Sequence, residues 1–172
     1  MQRVKEGNLQ ELATLFERYH VRMFNFFLKL SGDRVLSQDF TQNLFYRILK
    51  YRSSFKEGNS FKSWIYQMAR NIYYDYCREH QKQNDHFTQV ESFNDEVADT
   101  FDTFSQDDYD RLDTALAKLE NGQREIIILS RYQGLKYEEI SKITDLSVAA
   151  IKVQVHRAIK QLRTLYFKLQ NN

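Results

Sequence analysis

Proline is absent from this chain, glycine occurs five times and cysteine once. A proline ring removes an N–H and clashes with the preceding turn, so without one nothing forces a helix to stop early or kink. Few glycines mean few tight turns, and no Asn-Gly or Asp-Gly pair lies between two alternating apolar runs, so the commonest hairpin signature is missing. The fold class expected is all-α. The lone thiol, Cys77, can form neither an intrachain disulfide nor a CxxC site, and it is expected to be inert. No apolar run is long enough to span a bilayer, and the opening residues MQRVKEGNLQEL hold no apolar core of a secretory signal; a cytoplasmic protein with no membrane insertion is expected. Catalytic apparatus is equally sparse. His20, His80, His86 and His156 lack metal-ligand spacing, there is no glycine-rich phosphate loop, and no Ser/His/Asp or Cys/His set can be nominated. No enzymatic activity, metal or cofactor is expected.

What the chain does hold is charge, unevenly spread. Hydrophobic residues make up 42% and charged residues 28%, the balance of a soluble globular protein, and the net charge is only +2. Residues 1–84 carry 14 Lys+Arg against 8 Asp+Glu, residues 85–110 carry none against 9, and residues 111–172 carry 11 against 6. Two basic domains, 1–84 and 111–172, are therefore expected on either side of an acidic linker, 85–110. The linker's charge and weak hydrophobic periodicity suit a solvated tether. Phe87, Phe93, Phe101 and Phe104 within it are apolar groups that a partner would have to cover.

In the first domain, FKSWIYQMARNIYYDYCRE, residues 61–79, has more aromatics and cations than a core helix uses. Phe61, Trp64, Ile65, Met68, Ile72 and Tyr76 recur at spacings of three and four, which is the stripe a helix turns toward its core. Lys62, Tyr66, Arg70 and Tyr73 fall on a second face where cation and ring alternate. Such a face suits single-stranded nucleic acid, with cations on phosphates and rings under unstacked bases. It equally suits an ordinary solvated face with snorkelling tyrosines.

The last domain opens with a helical stripe, Leu112, Ala115, Leu116 and Leu119, interrupted at Asn121-Gly122 and resumed by QREIIILSRYQ up to Gly134. Tyr137 to Ile143 then reads as a short helix, Thr144 to Leu146 as a tight turn, and Ser147 as the N-cap of a second helix. Val148, Ile151, Val155, Ile159 and Leu162 of that helix face inward. Ala149, Lys152, Val153, His156, Arg157 and Lys160 face outward. A short helix, a tight turn and a basic second helix is the layout of a helix-turn-helix, whose second helix enters the major groove; helical hairpins without that function share the pattern.

Together these motifs resemble the bacterial RNA polymerase sigma factors of the extracytoplasmic-function (ECF) type, a class with only the second and fourth regions of larger sigma factors. SQDFTQNLFYRIL is similar to the helix that docks on the clamp helices of the polymerase β′ subunit. Phe61, Trp64, Ala69-Arg70-Asn71 and Asp75-Tyr76-Arg78 match the following helix, and Glu139-Ile140, Ser147, Ile151-Lys152 and Arg157-Ala158 match the family's helix-turn-helix. The resemblance implies that 1–84 is region 2, which docks on core polymerase through Asp39, Gln42 and Asn43 and opens the minus-ten element. There Phe55, Asn59, Ser60, Lys62, Trp64, Tyr66, Arg70, Asn71 and Arg78 would meet the strand, a flipped base entering a pocket whose contacts repay lost stacking. It implies equally that 111–172 is region 4, reading the minus-thirty-five element with Ser147, Ala149, Lys152, Val153, His156, Arg157 and Lys160. Two departures stand out: the family's proline is absent at Glu120-Asn121, and its turn glycine is replaced around Asp145, a residue type that tolerates left-handed backbone.

The partners so implied are core RNA polymerase, through the β′ clamp helices and the β flap, promoter DNA, and an anti-sigma factor. The acidic linker would occupy the polymerase cleft. A monomer is expected when free. The rival is a stand-alone helix-turn-helix regulator, which would be a homodimer binding duplex without polymerase.

Overall fold

The computed structural model describes residues 1–8, 10–81 and 105–170. The acidic segment up to residue 104, with Phe87, Phe93, Phe101 and Phe104, lies outside the described residues. All regular structure among them is helical. The first domain holds α1 (Gln2–Lys5), α2 (Gln10–Ser31), α3 (Arg34–Lys50), a 3-10 turn (Arg52–Ser54) and α4 (Phe61–Gln81). Gly32, at φ 70°, ends α2, and Asp33 caps α3 by accepting from the Leu36 N–H at 2.9 Å. This two-residue corner folds α3 back on α2 with nothing more than a glycine that tolerates positive φ and an N-cap carboxylate.

The three long helices close on an aromatic core. Phe27 and Phe40 sit 5.2 Å apart, Phe40 meets Tyr76 edge-on at 5.2 Å, and Phe26 meets Tyr66 at 5.3 Å. Edge-to-face rings at such distances add about 0.5–1.5 kcal/mol each beyond the area they bury. The inward stripe of α4 differs from the sequence expectation. Ile65, Tyr66, Ala69, Ile72 and Tyr73 are buried, whereas Phe61, Trp64, Met68 and Tyr76 are only partly covered. Tyr73 therefore belongs to the core, not to a solvent face: its hydroxyl donates to the Leu30 carbonyl at 3.0 Å. Wheel position alone misjudged it because a tyrosine ring is apolar enough for a core once its O–H finds an acceptor.

The second domain holds α5 (Gln106–Ala117), α6 (Asn121–Ile127), a π-helical turn (Ile128–Tyr132), α7 (Tyr137–Thr144) and α8 (Val148–Gln170). α5 starts earlier than the charge pattern suggested. Ser105 accepts from the Asp108 N–H at 3.3 Å while the Asp108 carboxylate takes the Ser105 N–H at 3.1 Å, a capping box that moves Asp107, Asp108 and Asp110 from the linker into a helix. At the other end of α5 the Arg124 guanidinium donates to the Ala117 and Leu119 carbonyls and, at 2.9 Å, to the Leu30 carbonyl of the first domain. One side chain thus closes the end of α5 and joins the two domains. Their buried residues form one continuous apolar cluster.

Candidate nucleic-acid interface

The helix-turn-helix forms as its residues dictate. α7 ends at Asp145, the only described non-glycine residue with positive φ (59°), so aspartate takes the left-handed turn position as expected. Ser141 Oγ donates to the Leu146 carbonyl at 2.6 Å, fixing the turn, and Ser147 Oγ accepts from the Ala150 N–H at 3.1 Å, capping α8. Ile151, Val155 and Ala158 are buried against α5, α6 and α7, which sets the rotation of α8. Ser147, Ala149, Lys152, Val153, His156, Arg157 and Lys160 all emerge on its exposed side. From Lys152 to Lys160 is about 12 Å at 1.5 Å per residue, which matches the width of a major groove.

The first-domain candidates divide into two groups. Asn59 and Ser60 are exposed in the loop after the 3-10 turn. Phe55 is buried instead, with its ring edge-on to Trp64 at 5.4 Å and to Phe61 at 6.4 Å, so it forms the floor of the loop and offers no ring to a base. α1 braces this loop from behind: Lys5 Nζ donates to the Phe55 carbonyl at 3.1 Å and Gln2 Nε2 donates to Glu57 at 2.6 Å. On α4, Trp64, Asn71 and Arg78 recur at spacings of seven and share a face that looks to solvent; Asn71 and Arg78 are exposed. Arg78 also pairs with Asp75 at 2.8 Å. Asn71 stands about 16 Å along the helix from Ser60, so the two cannot line one base pocket.

Lys62, Tyr66 and Arg70, spaced by four, lie on a different face, and that face meets the second domain. Lys62 pairs with Glu139 at 3.5 Å, the Tyr66 hydroxyl donates to Gln133 Oε1 at 2.7 Å, and Arg70 Nε pairs with Glu125 Oε1 at 2.9 Å. Tyr74, the next residue in the series, donates to Glu125 Oε2 at 3.1 Å and lies under the Arg70 guanidinium at 4.9 Å. The second face of α4 is thus neither free nor merely solvated: Tyr66 is 1% exposed. Burial pushes the Glu125 carboxyl above the ordinary carboxylate range, with Arg70 and Tyr74 pulling the other way. Burial likewise raises the Tyr66 and Tyr74 hydroxyls, which stay neutral donors.

Two acceptors of this contact escaped the sequence reading, Glu125 and Gln133, as did the pair of Lys29 with Asp113 at 2.6 Å. One signal was available. Glu125 directly precedes the apolar run Ile126–Leu129, and a carboxylate drawn into the interior with that run, at 3% exposure, needs a cationic partner. Gln133, which meets Tyr66, directly follows the π-helical turn Ile128–Tyr132. On α3, Asp39, Gln42 and Asn43 are exposed along one edge, Asn43 accepting from Arg47 at 3.2 Å.

A helix-turn-helix with an exposed basic helix face, joined to a second helical bundle, has the make-up of a two-domain DNA-binding protein. The relatives agree. The family profile described as Sigma-70 region 2 matches residues 15–83, and that described as Sigma-70, region 4 matches residues 109–162. The chain is similar to RNA polymerase sigma factor CarQ of Myxococcus xanthus, at 27% identity over 99% of this chain and 97% of that one. It is similar also to ECF RNA polymerase sigma factor SigM of Bacillus subtilis, at 27% identity over 88% and 93%. Among solved structures, the sigma factor RpoE in complex with the anti-sigma factor NepR from Bartonella quintana has the same fold, with TM-score 0.76 at 24% identity over 91% of this chain and 96% of that one. CnrH in complex with the cytosolic domain of CnrY follows, with TM-score 0.72 at 19% identity over 95% and 92%. The chain belongs to the sigma-70 family and is an RNA polymerase sigma factor of the ECF type.

Proposed function

We propose that the second domain reads the duplex of the minus-thirty-five element with α8, while the first domain opens the minus-ten element and holds its displaced strand. The exposed basic face of α8, set behind a capped turn, is the observation that carries this division of labour. Lys152, Arg157 and Lys160 meet phosphates or guanine edges, and Ala149 and Val153 lie against thymine methyls. In the first domain Asn59 and Ser60 of the loop take the flipped base, and Trp64, Asn71 and Arg78 carry the strand onward along the solvent face of α4. Lys62, Tyr66 and Arg70 join them when the second domain moves away.

Asp39, Gln42 and Asn43 dock on the β′ clamp helices. The apolar groove between α5 and α8, lined by Leu112, Ile159, Leu162 and Phe167, suits the β flap. An anti-sigma factor is a further partner, as in the solved complexes of similar fold. No described helix is long and apolar enough to cross a membrane, and work with polymerase places the protein in the cytoplasm.

Transcription from genomic fragments by core enzyme plus this protein tests the assignment. Discrete start sites sharing two upstream motifs, lost on Asp39→Ala with Gln42→Ala, are expected. Tight duplex binding by a dimer without core enzyme would overturn it in favour of a free-standing regulator.

A further inference from the structure

α1 is a single helical turn, Gln2–Lys5, too short to persist by itself, so tertiary contacts must hold it. Val4 is its anchor, at 0% exposure. Beyond the turn the chain doubles back: the Asn8 N–H donates to the Arg3 carbonyl at 2.9 Å, Asn8 Oδ1 accepts from the Gln10 N–H at 3.2 Å, and Arg3 pairs with Glu11 at 2.9 Å. α1 is thereby fixed to the start of α2 and laid beside the 3-10 turn Arg52–Ser54.

The loop that α1 meets has little holding it from within. Its floor is the buried Phe55, and its far end is Ser60, whose carbonyl accepts from the Trp64 N–H at 3.1 Å at the start of α4. Residues 56–60 are exposed. One backbone bond closes the turn between them, from the Asn59 N–H to the Lys56 carbonyl at 3.3 Å, with Gly58 at φ 81° in the left-handed position that favours glycine. α1 restrains this loop at two points. Lys5 Nζ holds the Phe55 carbonyl at the loop's start, and Gln2 Nε2 holds the Glu57 carboxylate at its tip. The second contact also engages the acid that would otherwise be free to repel a strand phosphate. Lys5 is exposed and Gln2 half-buried, so the fold itself owes little to either side chain.

We propose that α1 is a strut for base capture: Gln2 and Lys5 are positioning residues that hold the loop in the shape in which Asn59 and Ser60 receive the flipped minus-ten base. The proposal rests on the reading of this loop as the one that takes that base. A loop set beforehand does not have to be ordered by the base as it enters. Apparent affinity for an intact strand then scales with the fraction of chains whose loop is set. A strand lacking that base makes no use of the pocket, so its affinity is independent of α1.

Gln2→Ala with Lys5→Ala removes both contacts, and two readouts follow the loss. Trp64, the chain's single tryptophan, lies edge-on to Phe55 at 5.4 Å, so its emission in the free full-length chain reports on the loop floor. Holoenzyme binding is read by anisotropy on single strands carrying the minus-ten element obtained from the mapped start sites, intact or abasic at each position in turn. Wild type should lose about tenfold in affinity when the captured position is abasic. In the double variant that loss should shrink to about twofold, with affinity for the abasic strand unchanged and Trp64 emission shifted. Lys5→Ala alone should reduce the abasic loss, and Lys5→Arg, which keeps a donor for the Phe55 carbonyl, should retain it. Equal weakening on intact and abasic strands would make Lys5 a phosphate contact or the change a fold defect, and overturns the strut. An undiminished abasic loss, or unmoved Trp64 emission, overturns it as well. Asn59→Ala with Ser60→Ala separates the two readings: if wild type has no costly position, or if the abasic loss survives this change, the loop holds no base and the reading beneath the strut fails with it.

Discussion

Neutralising the exposed cations of α8 should change how promoter binding responds to salt more than it changes anything else. Lys152, Arg157 and Lys160 occupy one exposed face, each free to meet a phosphate. Every phosphate contact releases condensed counterions and contributes about 0.9 to the slope of log affinity against log salt. Replacing all three by alanine should therefore reduce the slope by about 2.7 if each contacts a phosphate. Over a fourfold rise in salt the wild-type affinity should then fall about 40-fold more than that of the variant. Alanine is the best helix former, so α8 itself should persist. Fluorescence anisotropy of holoenzyme on a duplex carrying its promoter, titrated with salt, measures both slopes. A difference in slope below about 0.5 would mean that α8 does not lie along phosphates, and the duplex-reading role would have to move elsewhere.

Burial raises the Glu125 carboxyl, so the folded chain holds that proton more tightly than the unfolded chain does, and stability falls as pH climbs from the usual carboxyl value of 4.5 through the raised one. Glu125→Gln removes this loss, so the variant should gain relative to wild type as pH rises from 4.5 in urea titrations; a constant difference would refute the burial account. Ser105→Ala should destabilise the second domain by about 1 kcal/mol through loss of the α5 cap, read as a lower denaturation midpoint. Ile65, fully buried on α4, should cost about 2–5 kcal/mol when cut to alanine, measured by thermal unfolding.

The helix-turn-helix could be read without a structure because its determinants are local. Asp145 in a left-handed turn, Ser147 as a cap and apolar residues three and four apart on α8 act over a few residues each, so their order along the chain predicts their geometry. The corner at Gly32-Asp33 is local in the same sense. Charge separated two basic stretches from an acidic one, but it set the boundary after residue 110, whereas the Ser105 cap draws Asp107, Asp108 and Asp110 into α5.

What α4 does lay beyond such reading. Its wheel showed that two faces carry cations and rings, but whether a face meets core, solvent, nucleic acid or a second domain depends on partners distant in sequence. Glu125 lies 55 positions from Arg70 and Gln133 lies 67 from Tyr66; no periodicity couples residues so far apart. Phe55 is likewise a strand candidate by position, and only its packing against Trp64 and Phe61 takes it into the core. The sequence by itself determined the all-helical class, the Ser147 cap, the exposed basic face of α8 and the sigma family. Only the tertiary structure decided which charges are already taken, because pairing is a property of distance in space and the chain encodes only distance along itself.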